Sequence, residues 1–216
     1  MPTNHGAEDG QRGYGRGALE FTRVANLSDG LFAIALTLLV FTLDASAVSL
    51  DRTAGVLVDQ PGPLIAFVLS FAVIASFWWT HHQFLASLDR LEPGLVLLNL
   101  ALLGAVALVP FPTSLLGRDP TAVGAVVPYL ALLSVVAVLH LLLLVRAQIV
   151  AAWRHPMPPA SFRWLLAEWG ASATVTLLGL AVAFILPVAG LAILLLTWPA
   201  EVFVGRWRPM TDQRRV

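Results

Sequence analysis

The amino-acid sequence predicts an all-α integral membrane protein with six transmembrane helices, and three observations lead to this prediction. Of the 216 residues, 58% are hydrophobic and only 12% are charged, which leaves a soluble domain of this size without enough polar surface. The apolar residues are gathered into runs of about 20 residues, the length that crosses a bilayer as a helix. The arginines are distributed so that nearly all of them fall on one side of these runs.

Six apolar windows divide the chain into candidate spans. The run Pro61-Gly62-Pro63 precedes the second window, Pro110 lies near the end of the third, and Pro187 separates the last two. Pro128 lies inside the fourth window and predicts a kink there, because proline removes a backbone donor. The predicted helices cover residues 19–43, 63–82, 93–116, 121–145, 162–186 and 188–203.

The positive charges predict the orientation of the spans. All thirteen basic residues are arginine, and with six spans only Arg52 and Arg118 fall on the side opposite the amino terminus. The other side carries Arg12, Arg16, Arg23, Arg90, Arg146, Arg154, Arg163, Arg206, Arg208, Arg214 and Arg215. Because cytoplasmic loops are enriched in arginine and lysine, we expect both termini to be cytoplasmic, in the plasma membrane of a prokaryote.

One membrane domain accounts for most of the chain. Residues 1–17 are rich in glycine and polar side chains, lack the apolar segment of a signal peptide and predict a disordered cytoplasmic tail. Residues 18–205 form the six-helix domain, and residues 206–216 form a basic cytoplasmic tail. The net charge of zero argues against nucleic acid as a partner, and the absence of cysteine excludes disulfides and thiolate metal sites.

The first predicted helix combines charge with a long apolar run over residues 23–41. At 100° per residue, Ser28 and Asp29 point away from one face of the helix. That face carries Leu27, Gly30, Ile34, Thr37, Leu38 and Phe41. Ordinary helix packing is the more frequent reason for such a stripe, and Asp29 has an alternative role in a helix-capping Ser-Asp-Gly sequence. An ionisable group within a span is nonetheless costly enough to indicate a functional or architectural partner.

Polar side chains also occur in the second and third predicted helices. Trp78 and Trp79 are typical of an interfacial belt, whereas His81 and His82 diverge by about 100° and do not form an i, i+4 metal pair. One of these histidines is a candidate hydrogen-bond partner of Asp29 or Ser28. Asn99 lies within an apolar run, where an amide needs a partner, and contact between helices is its more frequent role.

These residues together resemble a known family. Arg-x-x-x-Phe-Ser-Asp followed by Phe-Ala-Ile-Ala-x-Thr-Leu-Leu-Val is the first-helix signature of the lysosomal potassium channel transmembrane protein 175 and its prokaryotic relatives, and residues 23–40 are similar to it. The pattern Ser-Phe…Trp…His-His-x-Phe in the second helix and the third-helix residues from Asn99 to Leu116 resemble the same family. The phenylalanine of the first motif is replaced by Leu27. The resemblance covers the first three helices by motif and the last three by hydropathy.

The resemblance implies a fold, a function and residue roles. It implies a homotetramer, with potassium ions and the lipid bilayer as its other partners, in which the first helix of each subunit lines a central pore. The family lacks the usual potassium filter, and no Thr-Val-Gly-Tyr-Gly loop occurs in this sequence. By motif position, the pore and gate residues are Ile34, Leu38 and Phe41, with Thr37 as a polar ring. A structural polar network is implied for Arg23, Ser28, Asp29, Trp79, His81, His82 and Asn99.

The sequence therefore predicts a weakly selective, leak-like potassium channel with a hydrophobic constriction, and not an enzyme. No cofactor, resident metal or catalytic Ser-His arrangement is expected. The alternatives are a proton-conducting or proton-coupled cation transporter and a membrane scaffold that does not conduct. We expect structural roles for His140 and Glu168, and positions in the interfacial belts for Trp153, Trp164 and Trp169.

Overall fold

The computed structural model describes residues 14–15, 19–44, 59 and 61–194, and nearly all of these residues are helical. This confirms the predicted all-α class. The helices are α1 (Leu19–Leu38), α2 (Pro61–Ser87), α3 (Pro93–Leu108), α4 (Pro110–Arg118), α5 (Val123–Ile149), α6 (Pro159–Ala183) and α7 (Pro187–Leu194). A 3-10 turn over Leu39–Thr42 continues α1.

Five helical segments within the described ranges are long and apolar enough to cross a membrane. They are Leu19–Thr42, Pro61–Ser87, Pro93–Arg118, Val123–Ile149 and Pro159–Ala183. A further helix, α7, begins at Pro187, where the sequence predicts the break between the last two spans. These segments give the predicted six-helix architecture, and the part of the sixth span after Leu194 lies outside the described residues.

The third span consists of two helices, where the sequence predicts one. The boundary falls at Val109, whose N–H bonds to the carbonyl oxygen of Val106 in a 3-10 pattern. Pro110 follows and has no N–H for the continuing helix, so it begins α4 at a first-turn position that tolerates proline. The ladder resumes at Thr113, whose N–H bonds to Val109 at 3.1 Å.

Helix α5 is the centre of the fold. It packs against α3, α4, α6 and α7, and it runs through Pro128 as one continuous helix. Its fully buried side chains include Val126, Tyr129, Leu130 and Leu133. The buried hydroxyl of Tyr129 accepts a hydrogen bond from Ser70 of α2 at 3.1 Å. A polar contact in the apolar interior thus fixes α2 against α5, because a buried hydroxyl without a partner is costly.

Two connecting loops meet at one end of the bundle. The α2–α3 loop and the α5–α6 loop are joined by backbone hydrogen bonds from Asp89 to Ala152 at 2.8 Å and from Arg154 to Ser87 at 2.9 Å. Strand β1 (Tyr14–Gly15) pairs antiparallel with β2 (Arg90–Leu91) at the same end. These segments meet as expected for spans that alternate in direction, since each pair of spans returns the chain to one side.

The domain boundaries predicted from the sequence stay predictions. Apart from the strand Tyr14–Gly15, the predicted tail over residues 1–17 lies outside the described residues. The predicted basic tail over residues 206–216 lies outside them as well.

Candidate functional site: the two faces of the first helix

One face of α1 is buried and the other is exposed in the single chain. Phe21, Ser28, Phe32 and Ala35 are buried, at 0–5% exposure. The exposed face carries the predicted stripe, and its apolar members are Leu27 at 46%, Ile34 at 54%, Leu38 at 39% and Phe41 at 80% exposure. Thr37 and Gly30 lie on this exposed face as well.

This division follows from the helical period and from the neighbours of α1. The helix packs mainly against α2 and α3, and these two cover one side of it. Residues spaced by three, four and seven positions share a face, so Ser28, Phe32, Ala35 and Leu39 lie together on the covered side. The opposite side of α1 is left with an apolar surface that the described part of the chain does not cover.

Two of the predicted polar residues meet on the covered side. The amide Nδ2 of Asn99 on α3 donates to Ser28 Oγ at 3.1 Å, and the Ser28 hydroxyl donates to the Val24 carbonyl at 2.9 Å. Ser28 is 0% exposed and Asn99 is 1% exposed. Asn99 therefore joins α3 to α1 through a hydrogen bond that has no competition from water.

Asp29 contacts α2 through an indole and an imidazole. Trp78 Nε1 donates to Asp29 Oδ1 at 3.0 Å, and His82 Nδ1 lies 3.4 Å from the same oxygen. The family motif implies Trp79 as the indole of this network, whereas the structure has Trp78 in that place. Trp79 is 58% exposed and points away from Asp29, because adjacent residues on a helix differ by 100°. Trp78 and His82 are spaced i, i+4 and therefore share one face of α2.

The two adjacent histidines occupy different environments. His82 is half-exposed beside Asp29, whereas His81 is 1% exposed. The His81 ring lies 5.5 Å from the Phe32 ring of α1 and 5.5 Å from the His140 ring of α5, measured between centroids. His81 thus packs against the covered side of α1 without bonding to Asp29.

Arg23 is separate from the other predicted network residues. Its side chain is exposed, and it is one turn or more from Ser28 and Asp29 on the side of α1 that carries Gly30 and Ile34. Within the described residues, the bonds of Ser28 and Asp29 go to Asn99, Trp78, His82 and the α1 backbone, not to Arg23. Arg23 is therefore not part of the polar network in this structure.

One ion pair supports this region and was not anticipated. Arg146 Nε of α5 donates to Glu92 Oε1 at 2.6 Å, just before the start of α3. The bond from Arg146 holds the pKa of the Glu92 carboxyl below its usual range. The separation of 54 positions along the chain explains why sequence spacing did not predict the pair. It fixes the end of the helix that carries Asn99.

Comparisons with known proteins converge on one family. The family model described as the endosomal/lysosomal potassium channel TMEM175 matches residues 23–110, the part of the chain that holds α1 to α3. A potassium channel of Streptomyces collinus is 41% identical over 102 residues, covering 46% of this chain and 48% of that protein. A potassium channel of Chamaesiphon minutus is 36% identical over 102 residues, covering 46% and 50%. The chain thus spans about half the length of these curated relatives.

A solved structure extends the similarity to nearly the whole fold. The crystal structure of a lysosomal potassium-selective channel TMEM175 homologue from Chamaesiphon minutus matches with a TM-score of 0.71 and 25% identity. The match covers 86% of this chain and 98% of that one. The relatives are ion channels, in agreement with the prediction that this chain is not an enzyme.

The fold and the polar contacts of α1 define a multi-pass α-helical membrane protein whose first helix is held by the next two spans. The family model, the curated relatives and the solved structure to which the chain is similar are all named as potassium channels. The chain is similar to the TMEM175 family over residues 23–110, and its fold is similar to that of a solved TMEM175 homologue.

Proposed function

We propose that several copies of this chain form a potassium channel and that α1 of each copy lines a central pore. The family resemblance implies four copies. The observation that carries the proposal is the division of α1 into a covered polar side and an uncovered apolar side. In a symmetric ring of subunits, the uncovered sides face one another around the axis. The names of the relatives, which are potassium channels, support the choice of potassium as the permeant ion.

The gate in this proposal is hydrophobic. Ile34 and Leu38 are one helical turn apart on the exposed side, and their side chains offer no ligand to replace the water around an ion. A narrow ring of such side chains excludes ions by dewetting, and a wider ring passes hydrated cations. Opening therefore requires only a small rotation or spreading of α1, and weak selectivity follows because no filter of carbonyl oxygens is involved.

Thr37 and Phe41 complete the proposed pore surface. The Thr37 hydroxyl donates to the Ile34 carbonyl oxygen at 2.8 Å, which leaves lone pairs of its oxygen for a passing cation. Phe41 lies in the 3-10 turn that ends the first span, is 80% exposed, and closes the stripe at that end.

The covered side of α1 has a structural role in this proposal. Bonds from Asn99 to Ser28 and from Trp78 and His82 to Asp29 fix the rotation of α1, so that the stripe points away from the rest of the subunit. Arg23 belongs instead to the exposed side, where its guanidinium lies at the opposite end of the stripe from Phe41. We place the protein in the cell membrane of a prokaryote with both termini cytoplasmic, on the distribution of arginine.

The test is cation flux into liposomes that contain the purified protein. Ile34→Asn and Leu38→Asn replace an apolar ring by an amide ring, and we expect potassium flux to rise about tenfold for every 1.4 kcal/mol of barrier removed. Val40→Asn is the matched control, because Val40 is 51% exposed but lies off the stripe, and its flux should equal that of the wild type. Unchanged flux in both stripe variants would reject the gate.

The same liposomes separate the alternative functions. Potassium flux that continues when a protonophore collapses the proton gradient is the result for a channel, and flux that stops is the result for a proton-coupled transporter. A scaffold would give no flux in any variant, including Ile34→Asn. The mass of the purified particle tests the tetramer directly.

A further inference from the structure

A cavity lies between α2, α5 and α6, on the far side of α2 from α1. Its volume is about 470 Å³, which is within the range of small-molecule sites. The wall includes Ser87 at the end of α2 and Met157 of the α5–α6 loop. The cavity therefore lies in the half of the bundle where the two connecting loops meet, and it is separate from the proposed pore.

Aromatic rings make up much of the wall. The lining includes Phe77, Trp79, Phe84, Trp153, Trp164 and Trp169. Four tryptophans for which the sequence predicts positions in interfacial belts are thus gathered at one site by the fold. The ring of Trp169 lies edge-on to Phe84, with 5.7 Å between the centroids. The faces of tryptophan and phenylalanine rings are electron-rich and attract cations.

The described residues of the wall carry charge of one sign. Among the described residues that line the cavity, Glu168 is the one acid, and none is arginine or lysine. Glu168 lies within the span α6, where an acidic side chain is costly and usually has a functional role. A wall with an acid and aromatic faces favours a cationic ligand and disfavours an anionic one.

His140 adds a hydrogen-bond acceptor to the same wall. The histidine is 3% exposed, and its Nδ1 lies 3.1 Å from the Val136 carbonyl oxygen, so Nδ1 carries the proton and donates. The other ring nitrogen, Nε2, is then an acceptor, and it has no partner among the described residues. Buried acceptors normally find a donor, and a ligand that carries N–H groups supplies one.

We propose that this cavity binds a small organic ammonium ion with an apolar body. The positive charge is held by the tryptophan faces and by Glu168, and the body of the ligand fills the space between α2 and α6. Lipid acyl chains are the competing occupant, but they use neither the acid nor the aromatic faces. The proposal goes beyond the channel function and does not depend on it.

The test compares three probes of one shape that differ in charge. Binding of 2-phenylethylammonium, 2-phenylethanol and 3-phenylpropionate to the purified full-length protein is measured by calorimetry. We expect the ammonium ion to bind about tenfold more tightly than the alcohol, which corresponds to one cation–π or charge contact, and the carboxylate to bind least. Equal affinities for all three probes would overturn the proposal. So would displacement of the ammonium ion by phosphatidylglycerol together with binding that does not depend on the charge of the probe.

A pair of matched variants locates the site. Glu168→Gln should lower the affinity for the ammonium ion severalfold and leave the affinity for the alcohol unchanged. Glu92→Gln makes the same chemical change outside the cavity and should leave both affinities unchanged. If the Glu168→Gln variant does not fold, Trp169→Leu is used instead, and it should weaken binding of the ammonium ion more than binding of the alcohol. Equal effects of the two glutamate variants would place the probe elsewhere and reject the site.

Discussion

The two sides of α1 differ in what holds them. On the covered side, Ser28 and Phe32 contact side chains of α2 and α3, and both are 0% exposed. On the uncovered side, Ile34 is 54% exposed and Phe41 is 80% exposed, although both are as apolar as Phe32. Apolar character alone therefore does not decide which side of a membrane helix is buried. Polar contacts decide it, because lipid satisfies an apolar side chain but leaves an amide or hydroxyl without a partner.

The largest expected contrast between the two sides is in stability. Phe32→Ala removes a fully buried ring that packs against His81, and we expect it to lower the free energy of unfolding by about 3 kcal/mol. Phe41→Ala removes the same ring from an exposed position and should change stability by less than about 0.5 kcal/mol. Denaturant unfolding of the protein in detergent measures both, and equal losses would contradict the division of α1 into two sides.

The bond between α1 and α3 should have the next largest effect. Asn99→Ala leaves Ser28 with its backbone partner alone, and Ser28→Ala removes the acceptor of the amide. Hydrogen bonds between membrane helices contribute about 0.6 kcal/mol on average and up to about 1.7. The double-mutant cycle of these two substitutions should give a coupling energy in that range. A coupling of zero would indicate that the two side chains do not act on each other.

The two adjacent tryptophans sharpen the comparison on α2. Trp78→Phe keeps the aromatic ring but removes the N–H that bonds to Asp29, so we expect a loss of about 1 kcal/mol. Trp79→Phe removes an N–H that is not bonded to Asp29 and serves as the control, with an unchanged unfolding midpoint. If Trp79→Phe is the more destabilising variant, the indole assigned to Asp29 is the wrong one.

The smallest effect is expected at the ion pair that does not contact α1. Arg146 lowers the pKa of Glu92 from its usual 4.5, so the ionised pair stabilises the fold above pH 4.5. This contribution is lost as the pH falls through the lowered pKa, since the protonated carboxyl no longer pairs. Because the pair is partly exposed, the loss in Tm should be about 2 °C or less.

Glu92→Gln provides the control for this last prediction. The variant should remove that part of the pH dependence and leave potassium flux in liposomes unchanged. A flux change as large as that of Ile34→Asn would mean that the uncovered side of α1 is not the main determinant of the pore.

The sequence predicted those features that depend on the residues of a single span. The apolar runs predict the helices because a span must satisfy its backbone internally, and Pro187 predicts the break before α7. The helical period predicts that Ile34, Thr37, Leu38 and Phe41 share a face and that His81 and His82 diverge. The motif residues of α1 to α3 predict a resemblance to the TMEM175 family, and the model of that family matches residues 23–110.

The tertiary structure decided which side chains meet. Sequence spacing within α2 does not tell whether Trp78 or Trp79 faces α1, because the rotation of α2 is set by its packing against α1 and α4. The same applies to Arg23, which lies on the uncovered side of α1 although its motif suggested a network with Asp29. The cavity beside Glu168 is built from helices that are distant in sequence. The period of each helix is a property of its own residues, whereas the direction in which it points depends on all of its neighbours.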